Sequence, residues 1–418
     1  MIVSLYNPPT HYYTRRELSP LPVLSLAILA GVLNEAGHEA FVYDMEATKI
    51  NTGYFHTVDE WHKIPDVIGF TCLTVSAQGV KDCIRELRQS DYRGKIVVGG
   101  IHPTVRPDEV LSWGADLVVT GECEGNIVDL LESDVTGIHA GEKMYIDDIP
   151  SPDWDNYYPD ITSYKGQYRS LAPRASVAMW TRGCPYKCIY CANLIFNGQP
   201  IRHRQPAVIA EEMVDIKRRG IDNVFTYDDE LIGSKQPEGW MSEIADRVEP
   251  LDMMWLTQGR CSEKHVTADI LAGMKRAGCE MIFWGVESFA PNVLKHMRKG
   301  NKPDDIWHTL RLSHEAGIKN CVYTIIGSYK ETDEDLAITA DALKQGYEEG
   351  VIDHLQTFAC KIMPGTKLEQ LSIEEGWYSK PKTAIVGWTQ PQDTPWLSAE
   401  QITKWKSIFR GVCPVGKP

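Results

Sequence analysis

No run in this 418-residue chain is long and apolar enough to cross a bilayer; the longest, residues 21–33, falls short and carries helical spacing. Residues 1–5 read as a strand, without the basic start and apolar middle of a secretory leader. Basic residues are also in deficit, 43 Lys and Arg against 57 Asp and Glu, for a net charge of −14. That balance argues against an extended nucleic-acid groove or an anionic-membrane surface, though not against a local basic pocket. The 11 cysteines scatter through a chain with no leader, which argues against a disulfide scaffold and for metal or redox use of any tight cluster. A cytoplasmic protein with no nucleic acid and no membrane among its partners is expected. What remains is an ordinary globular composition, 43% hydrophobic and 24% charged, long enough for two or three domains.

The first 140 residues alternate strands with helices. Strands are expected at 1–5, 40–44, 66–71, 95–98 and 116–120, and helices within 21–36, at 76–89 and near 107–113. Several strands are continuous in β-branched residues, as in a parallel sheet covered on both faces. In such a sheet the loops after the strand C-termini form the ligand crevice. Here they carry Asn7-Pro8, Thr71, Thr74 and Ser76, then Gly99, Gly100 and His102, then Gly121 and Glu122. The glycines let backbone approach a ligand, or simply make tight turns. No G-x-G-x-x-G follows the first strand, so a dinucleotide site lacks support. Asn7-Pro8-Pro9, Gly37-His38-Glu39, Gly99-Gly100-Ile101-His102-Pro103-Thr104 and Gly121-Glu122-Cys123-Glu124 resemble the cobalamin-binding-type domain that precedes many radical S-adenosylmethionine enzymes. The resemblance implies a Rossmann-like domain over residues 1–140 and cobalamin held by the crevice residues just named. The D-x-H-x-x-G motif that supplies a cobalt ligand elsewhere is absent, and His11 lacks its spacing, so cobalamin would be held without a histidine.

After a proline-rich connector, residues 141–175, a strand at 176–180 leads into Cys184-Pro-Tyr-Lys-Cys188-Ile-Tyr-Cys191. Three thiolates within eight residues suit an iron–sulfur cluster or zinc, and the fourth corner is unfilled. Structural zinc would recruit a fourth Cys or His, and His203 lacks paired spacing. The C-x₃-C-x₂-C spacing, with Tyr190 before the last cysteine, resembles the signature of the radical S-adenosylmethionine superfamily. The resemblance implies a 4Fe–4S cluster on Cys184, Cys188 and Cys191 whose open iron binds S-adenosylmethionine. Reductive cleavage there yields a 5′-deoxyadenosyl radical.

Downstream strands end at Asp228-Asp229-Glu230, Gln258-Gly259-Arg260, Gly285-Val286-Glu287-Ser288, Ile326-Gly327 and Met363-Pro364-Gly365-Thr366. With the cysteine strand this makes six β/α units, a partial parallel barrel with its site at the strand C-termini. The resemblance implies Tyr190 near adenine, Asp228 or Asp229 at the methionine amino group, and Arg260 at its carboxylate. It implies Glu287 or Ser288 at ribose or the amino group, and Ile326-Gly327 and Pro364-Gly365-Thr366 shaping the adenine pocket. Arg260 is an alternative partner for Glu287. The remaining cysteines form no second cluster, and Trp180, Trp255 and Trp284 read as core. Residues 374–418, with Trp377, Trp388, Trp396 and Trp405, form a small cap ending in a helix at 398–409.

The expected fold is α/β: an N-terminal doubly wound Rossmann-like parallel sheet, then a partial (β/α)6 TIM-like barrel over residues 176–373, then the cap. The leading function is cobalamin-dependent methylation of an unactivated carbon of a small molecule, with phosphorus or a peptide as lesser candidates. An external one-electron reductant such as flavodoxin or ferredoxin would be the partner. Cobalamin-independent radical rearrangement, cyclisation or C–C bond formation stays open, as does a non-catalytic corrinoid sensor or carrier.

Overall fold

Short apolar runs separated by amphipathic helices build two parallel sheets in the computed structural model, which describes residues 1–10, 21–48, 64–164, 174–378 and 391–412. His11 and Trp388 lie outside the described residues. The chain divides into two compact units, one mainly Met1–Gln167, the other mainly Tyr168–Leu194, Gly198–Lys380 and Trp388–Pro418. No helix among the described residues is long and apolar enough to cross a membrane.

The first unit holds β1 (Ile2–Asn7), β2 (Glu39–Asp44), β3 (Val67–Thr71), β4 (Lys95–Gly99), β5 (Leu117–Thr120), β6 (Gly137–Ala140) and β7 (Tyr157–Tyr158). Their order is β6-β5-β4-β3-β1-β2-β7, and every pairing is parallel. Strand order reverses between β1 and β3, so right-handed crossovers put helices on both faces and leave a crevice where their loops diverge. On one face Ile68, Phe70, Ile96 and Val98 pack against Val80, Cys83, Ile84 and Leu87 of the helix Ala77–Gln89. Those four positions recur every three or four residues, which is one stripe of a helix. The helix Leu24–Glu35 packs on β1 and β2.

Part of the expected connector is built into this sheet. β7 pairs with β2, and Asp44 at the end of β2 accepts bonds from Tyr164 Oη at 2.7 Å and Asn7 Nδ2 at 2.8 Å. A two-residue strand has no periodicity to read, and the tyrosines that tie it down looked like loop composition.

The second unit contains β8 (Ser176–Ala178), β9 (Thr181–Arg182), β10 (Arg202–His203), β11 (Asn223–Thr226), β12 (Met254–Arg260), β13 (Cys279–Glu287), β14 (Lys319–Ile326) and β15 (His354–Ala359). β9 and β10 form an antiparallel pair. The other six lie side by side in chain order, all parallel, as a partial barrel. Trp255 and Trp284 are fully buried core residues, their indole N–H groups donating to Ala277 O at 2.9 Å and Asn320 Oδ1 at 2.7 Å. Toward the C-terminus, Trp377 and Trp396 pack with Tyr329 and Leu368, and the helix Ala399–Val412 lies on the helix Asp333–Glu348 and β15.

Gly100 has φ +112°, and a Cβ there would stand 2.9 Å from Cys72 O and 3.1 Å from Cys72 N. Gly121, at φ +77°, has nothing within 4 Å of the same point. Gly100→Ala is expected to destabilise by about 1–3 kcal/mol beyond the backbone cost of ~1–2 kcal/mol that Gly121→Ala carries alone. Urea-unfolding midpoints of the two variants measure the difference, and equal midpoints would contradict it.

Candidate functional site

The cysteine loop starts from a backbone held by two neighbouring carboxylates. Asp228 Oδ1 accepts from Trp180 N at 2.9 Å, Thr181 N at 2.5 Å and Thr181 Oγ1 at 2.9 Å. Asp229 Oδ2 accepts from Gly183 N at 2.7 Å. Gly183 has φ +93°, and a Cβ would meet Pro200 O and Gly198 O at 2.9 and 3.0 Å. Within the loop Ile189 is buried; its N–H donates to Met297 O at 3.0 Å and its carbonyl accepts from Leu368 N at 2.8 Å. Cys184 and Cys188 are half-buried and Cys191 exposed. Asn193 N donates to Cys191 Sγ at 3.5 Å. Burial pushes the Cys184 thiol up to about 12, so a metal must displace its proton. Among the described residues no three His, Cys, Asp or Glu side chains close around a single ion.

Asp228 or Asp229 was expected at the methionine amino group; the structure gives the fully buried Asp228 a bracing role, its Oδ1 holding the chain that precedes the cysteines. The preorganised loop is the result. Arg260, at the end of β12, is 5% exposed and lies with its guanidinium carbon 3.8 Å from the centroid of Tyr186. Its Nη1 stands 3.8 Å from Cys188 Sγ. The Tyr186 hydroxyl donates to Gly233 O. A cation is thus locked beside a cysteine sulfur, the charge balance that an anionic cluster on thiolates needs. Three soft donors with one flank cationic, and no fourth Cys or His closing on them among the described residues, fit a 4Fe–4S cluster.

Glu287 ends β13 with φ +66°, and the register with β14 shifts between Gly285 and Glu287. A bulge, rather than plain strand alternation, aims this side chain. Glu287 Oε1 accepts from Lys299 Nζ at 2.9 Å and from Tyr190 Oη at 3.1 Å. Arg260 is not its partner. Lys299 is the residue that sequence reasoning missed, a lysine in the turn after the helix Pro291–His296, 12 positions from the acid. The only trace in sequence is a basic Lys299-Gly300 step following a strand-end acid. Burial lowers the Lys299 ammonium, but the Glu287 carboxylate and the Cys188 sulfur outweigh it and hold its pKa above the ordinary value. Tyr190 also packs, as Ile325 does, against Ala290, Val293 and Met297.

Ser288 turns away from this group: it is fully buried, its Oγ 2.9 Å from Thr339 Oγ1 and accepting from Ala290 N at 3.1 Å. Gly327 N and Ser328 N donate to Glu331 Oε2 at 2.6 and 3.0 Å, so the loop after Ile326 is shaped by a buried acid. Thr366 caps the helix Lys367–Glu374.

In the first unit the crevice loops are laced together. Cys72 N donates to Gly99 O at 2.8 Å and His102 N to Cys72 O at 3.0 Å. Ser76 Oγ receives Leu73 N at 3.0 Å, and Gly121 N donates to Thr104 Oγ1 at 2.9 Å. Leu73 stands 46% exposed between half-buried Thr71 and buried Thr74. A Cβ on Gly99 would meet only Val119 O, at 3.9 Å. Open glycine backbone beside an exposed leucine fits a large, mostly apolar ring ligand such as a corrin. His102 is held inside the crevice wall rather than at its opening. Its Nδ1 lies 3.2 Å from Thr74 Oγ1, its ring stacks on Trp113, and burial and Arg106 bring it down to about 4. Glu122 is buried with Lys143 Nζ at 3.4 Å.

Two outcomes follow from the barrel rim. Lys299→Met should lower stability by about 3–5 kcal/mol, because it leaves the Glu287 carboxylate buried without its cation. Adding Glu287→Gln should restore part of that loss in thermal unfolding of the apoprotein; a simply additive pair would refute the coupling. Burial raises the Asp228 carboxyl from 3.8 to about 6 against its hydrogen bonds. The folded state therefore holds that proton more tightly. Its contribution is present below the unfolded pKa and is lost as pH rises from ~4 to ~6, at about 1.4 kcal/mol per unit. Asp228→Asn should flatten this slope, while Glu212 and Glu331, raised by burial to about 7 and about 8, keep the remainder.

Two families match the chain: the radical SAM superfamily over residues 179–343 and the B12 binding domain over residues 17–131. The chain is 25% identical over 402 residues to the uncharacterized methyltransferase PH0819 of Pyrococcus horikoshii, covering 89% of this chain and 83% of that protein. It is 26% identical over 366 residues to the anaerobic magnesium-protoporphyrin IX monomethyl ester cyclase of Synechocystis, covering 82% and 72%. The radical S-adenosylmethionine methyltransferase TsrM of Kitasatospora setae, solved with cobalamin and a [4Fe-4S] cluster, matches 90% of this chain and 75% of its own with a TM-score of 0.69. Sequence identity there is 18%, so that likeness speaks for the fold. The B12-binding match lies in the seven-stranded unit, and the radical SAM match runs from just before the cysteine loop into the helix Asp333–Glu348. The chain therefore carries a B12-binding domain followed by a radical S-adenosylmethionine domain.

Proposed function

We propose that this enzyme is a cobalamin-dependent C-methyltransferase acting on an unactivated carbon of a small molecule. The observation that carries this reading is the presence, in one chain, of an open α/β crevice matched by the B12-binding family and a three-thiol loop flanked by Arg260. Two of the similar proteins named above are methyltransferases. Its cofactors are a 4Fe–4S cluster, S-adenosylmethionine and cobalamin. When bound, the cluster supplies the electron that cleaves S-adenosylmethionine, and cobalamin carries the methyl group.

The roles of the chain's own residues follow in this reading. Cys184, Cys188 and Cys191 hold the iron, and Arg260 offsets the charge on their sulfurs. The Glu287–Lys299–Tyr190 group offers both signs of charge and a hydroxyl to the amino-acid part of S-adenosylmethionine. Thr71, Leu73, Gly99 and Gly121 receive the corrin largely through backbone, without a histidine on cobalt. Residues 1–140 carry the corrinoid and residues 176–373 the radical chemistry, with 141–175 between them. A flavodoxin or ferredoxin type of reductant supplies electrons in the cytoplasm. The acidic balance, −14, supports a role without nucleic acid.

The cyclase similarity favours one second reading, radical cyclisation or rearrangement without methyl transfer. Anaerobic reconstitution tests both. Each of Cys184→Ala, Cys188→Ala and Cys191→Ala is expected to abolish the cluster's visible absorption and all 5′-deoxyadenosine formation. One corrinoid bound per chain supports methyl transfer; its absence from an otherwise active reconstituted protein would leave the cyclisation reading.

A further inference from the structure

The three cysteine sulfurs are met by three different N–H donors. The amide of Tyr186 bonds to Cys184 Sγ, and the amide of Asn193 donates to Cys191 Sγ at 3.5 Å. Cys188 Sγ instead receives a side chain, Arg260 Nη1 at 3.8 Å. The first two donors belong to the backbone of the loop, so any sequence folded this way would supply them. The third depends on a single residue, and it brings a full positive charge.

That charge is not spent elsewhere. Among the described residues no carboxylate pairs with Arg260, and the hydrogen bond its guanidinium makes is the one to Cys188. Lys299, the other buried cation of the rim, is bound to Glu287 at 2.9 Å, and Lys187 in the loop is exposed, where solvent screens it. The buried acid Glu230 gives its Oε1 to Gly233 N at 2.5 Å. The guanidinium is also fixed in place. It lies on the Tyr186 ring, and Nη2 abuts Gly300, where a Cβ would come within 3.2 Å. A two-pronged grip on a carboxylate needs at least one of the two Nη nitrogens. Here one is on sulfur and the other is against backbone.

We infer that Arg260 sets the reduction potential of the 4Fe–4S cluster through Cys188 and takes no part in gripping the carboxylate of S-adenosylmethionine. The inference rests on the radical S-adenosylmethionine part of the proposed function and is independent of methyl transfer. When the external reductant gives up one electron, the iron held by the three thiolates becomes one unit more negative. A fixed cation beside one of the sulfurs favours that more negative state, so it raises the potential.

The test is an anaerobic redox titration of the reconstituted holoenzyme without S-adenosylmethionine, poised with titanium(III) citrate and mediators and read by electron paramagnetic resonance of the reduced cluster. At the potential that half-reduces the wild type, Arg260→Met is expected to show a reduced-to-oxidised ratio about tenfold lower, ~59 mV for a one-electron couple. Equilibrium dialysis of S-adenosylmethionine against the oxidised holoenzyme should give the same affinity for both. An unchanged ratio overturns the inference. So does a tenfold loss of S-adenosylmethionine affinity, which would return Arg260 to the carboxylate. Iron and sulfide contents and melting temperatures check loading and folding. Should Arg260→Met hold no cluster, Tyr186→Leu decides: it keeps the arginine and removes its stack, and the ratio should fall about threefold, an unchanged ratio again overturning the inference. Bound corrinoid with no shift in ratio removes the role of Arg260 and leaves the methyltransferase reading; a shift in a protein that binds no corrinoid does the reverse.

Discussion

Asp228 Oδ1 gathers the amides of Trp180 and Thr181 with the Thr181 hydroxyl, and Asp229 takes the amide of Gly183. These bonds tie the end of β11 to the backbone that launches the cysteine loop, and the rest of the rim depends on them. A loop carrying three thiols has little reason of its own to stay folded, since most of its side chains are polar or half-exposed. It is therefore pinned at its start, at Gly183, by the carboxylate and within it, at Ile189, by backbone bonds to Met297 and Leu368. The cost is a buried acid that ionises late, at about 6. An acid in that position is tolerated because three donors converge on one of its oxygens.

Charge at the rim is balanced locally, in a protein whose overall charge is −14. Arg260 and Lys299 are both nearly buried, and each is held by a fixed partner, Tyr186 in one case and Glu287 in the other. Long basic side chains on a surface would swing in solvent and be screened. Here the guanidinium is stacked and the ammonium is paired, so their fields act at fixed points. Global composition excluded a broad basic surface and was silent about two buried cations, because net charge averages over a scale far larger than one cluster.

Much of this was legible from residues alone. The C-x₃-C-x₂-C spacing, the six strand–helix repeats and the strand-end glycines are local patterns, and they appear in the structure close to where the sequence places them. Glu287 was legible as a rim acid because it follows Gly285-Val286 at a strand end. Its partner was not, since Lys299 arrives through a helix and a turn, and nothing in the sequence says how far that turn folds back. The structural role of Asp228 was hidden for the opposite reason. Its neighbours were read as ligand contacts, but a carboxylate at a strand end serves the adjacent strand equally well, and only hydrogen-bond partners distinguish the two. Strand β7 escaped because two residues cannot show a period, and the bond between Ser288 and Thr339 because the partner lies on a helix 51 positions away.

The two units use the same edge of a parallel sheet in different ways, and ligand chemistry explains the difference. A cluster on three thiolates carries concentrated negative charge, so its loop needs sulfur donors, nearby cations and bonds that hold each in place. A corrin is broad and largely apolar, so its crevice needs room and exposed backbone more than charge. Gly99 and Gly121, with almost nothing near an added Cβ, and the exposed Leu73 provide that room. His102 sits in the same crevice yet is withdrawn onto Thr74 and Trp113, where it braces the loop after β4. A histidine that served cobalt would need its ring at the opening, and this ring is buried against Trp113 with Nδ1 turned to Thr74. What the opening itself presents is glycine backbone and Leu73, a lining that fits a corrin by shape rather than by a side-chain ligand.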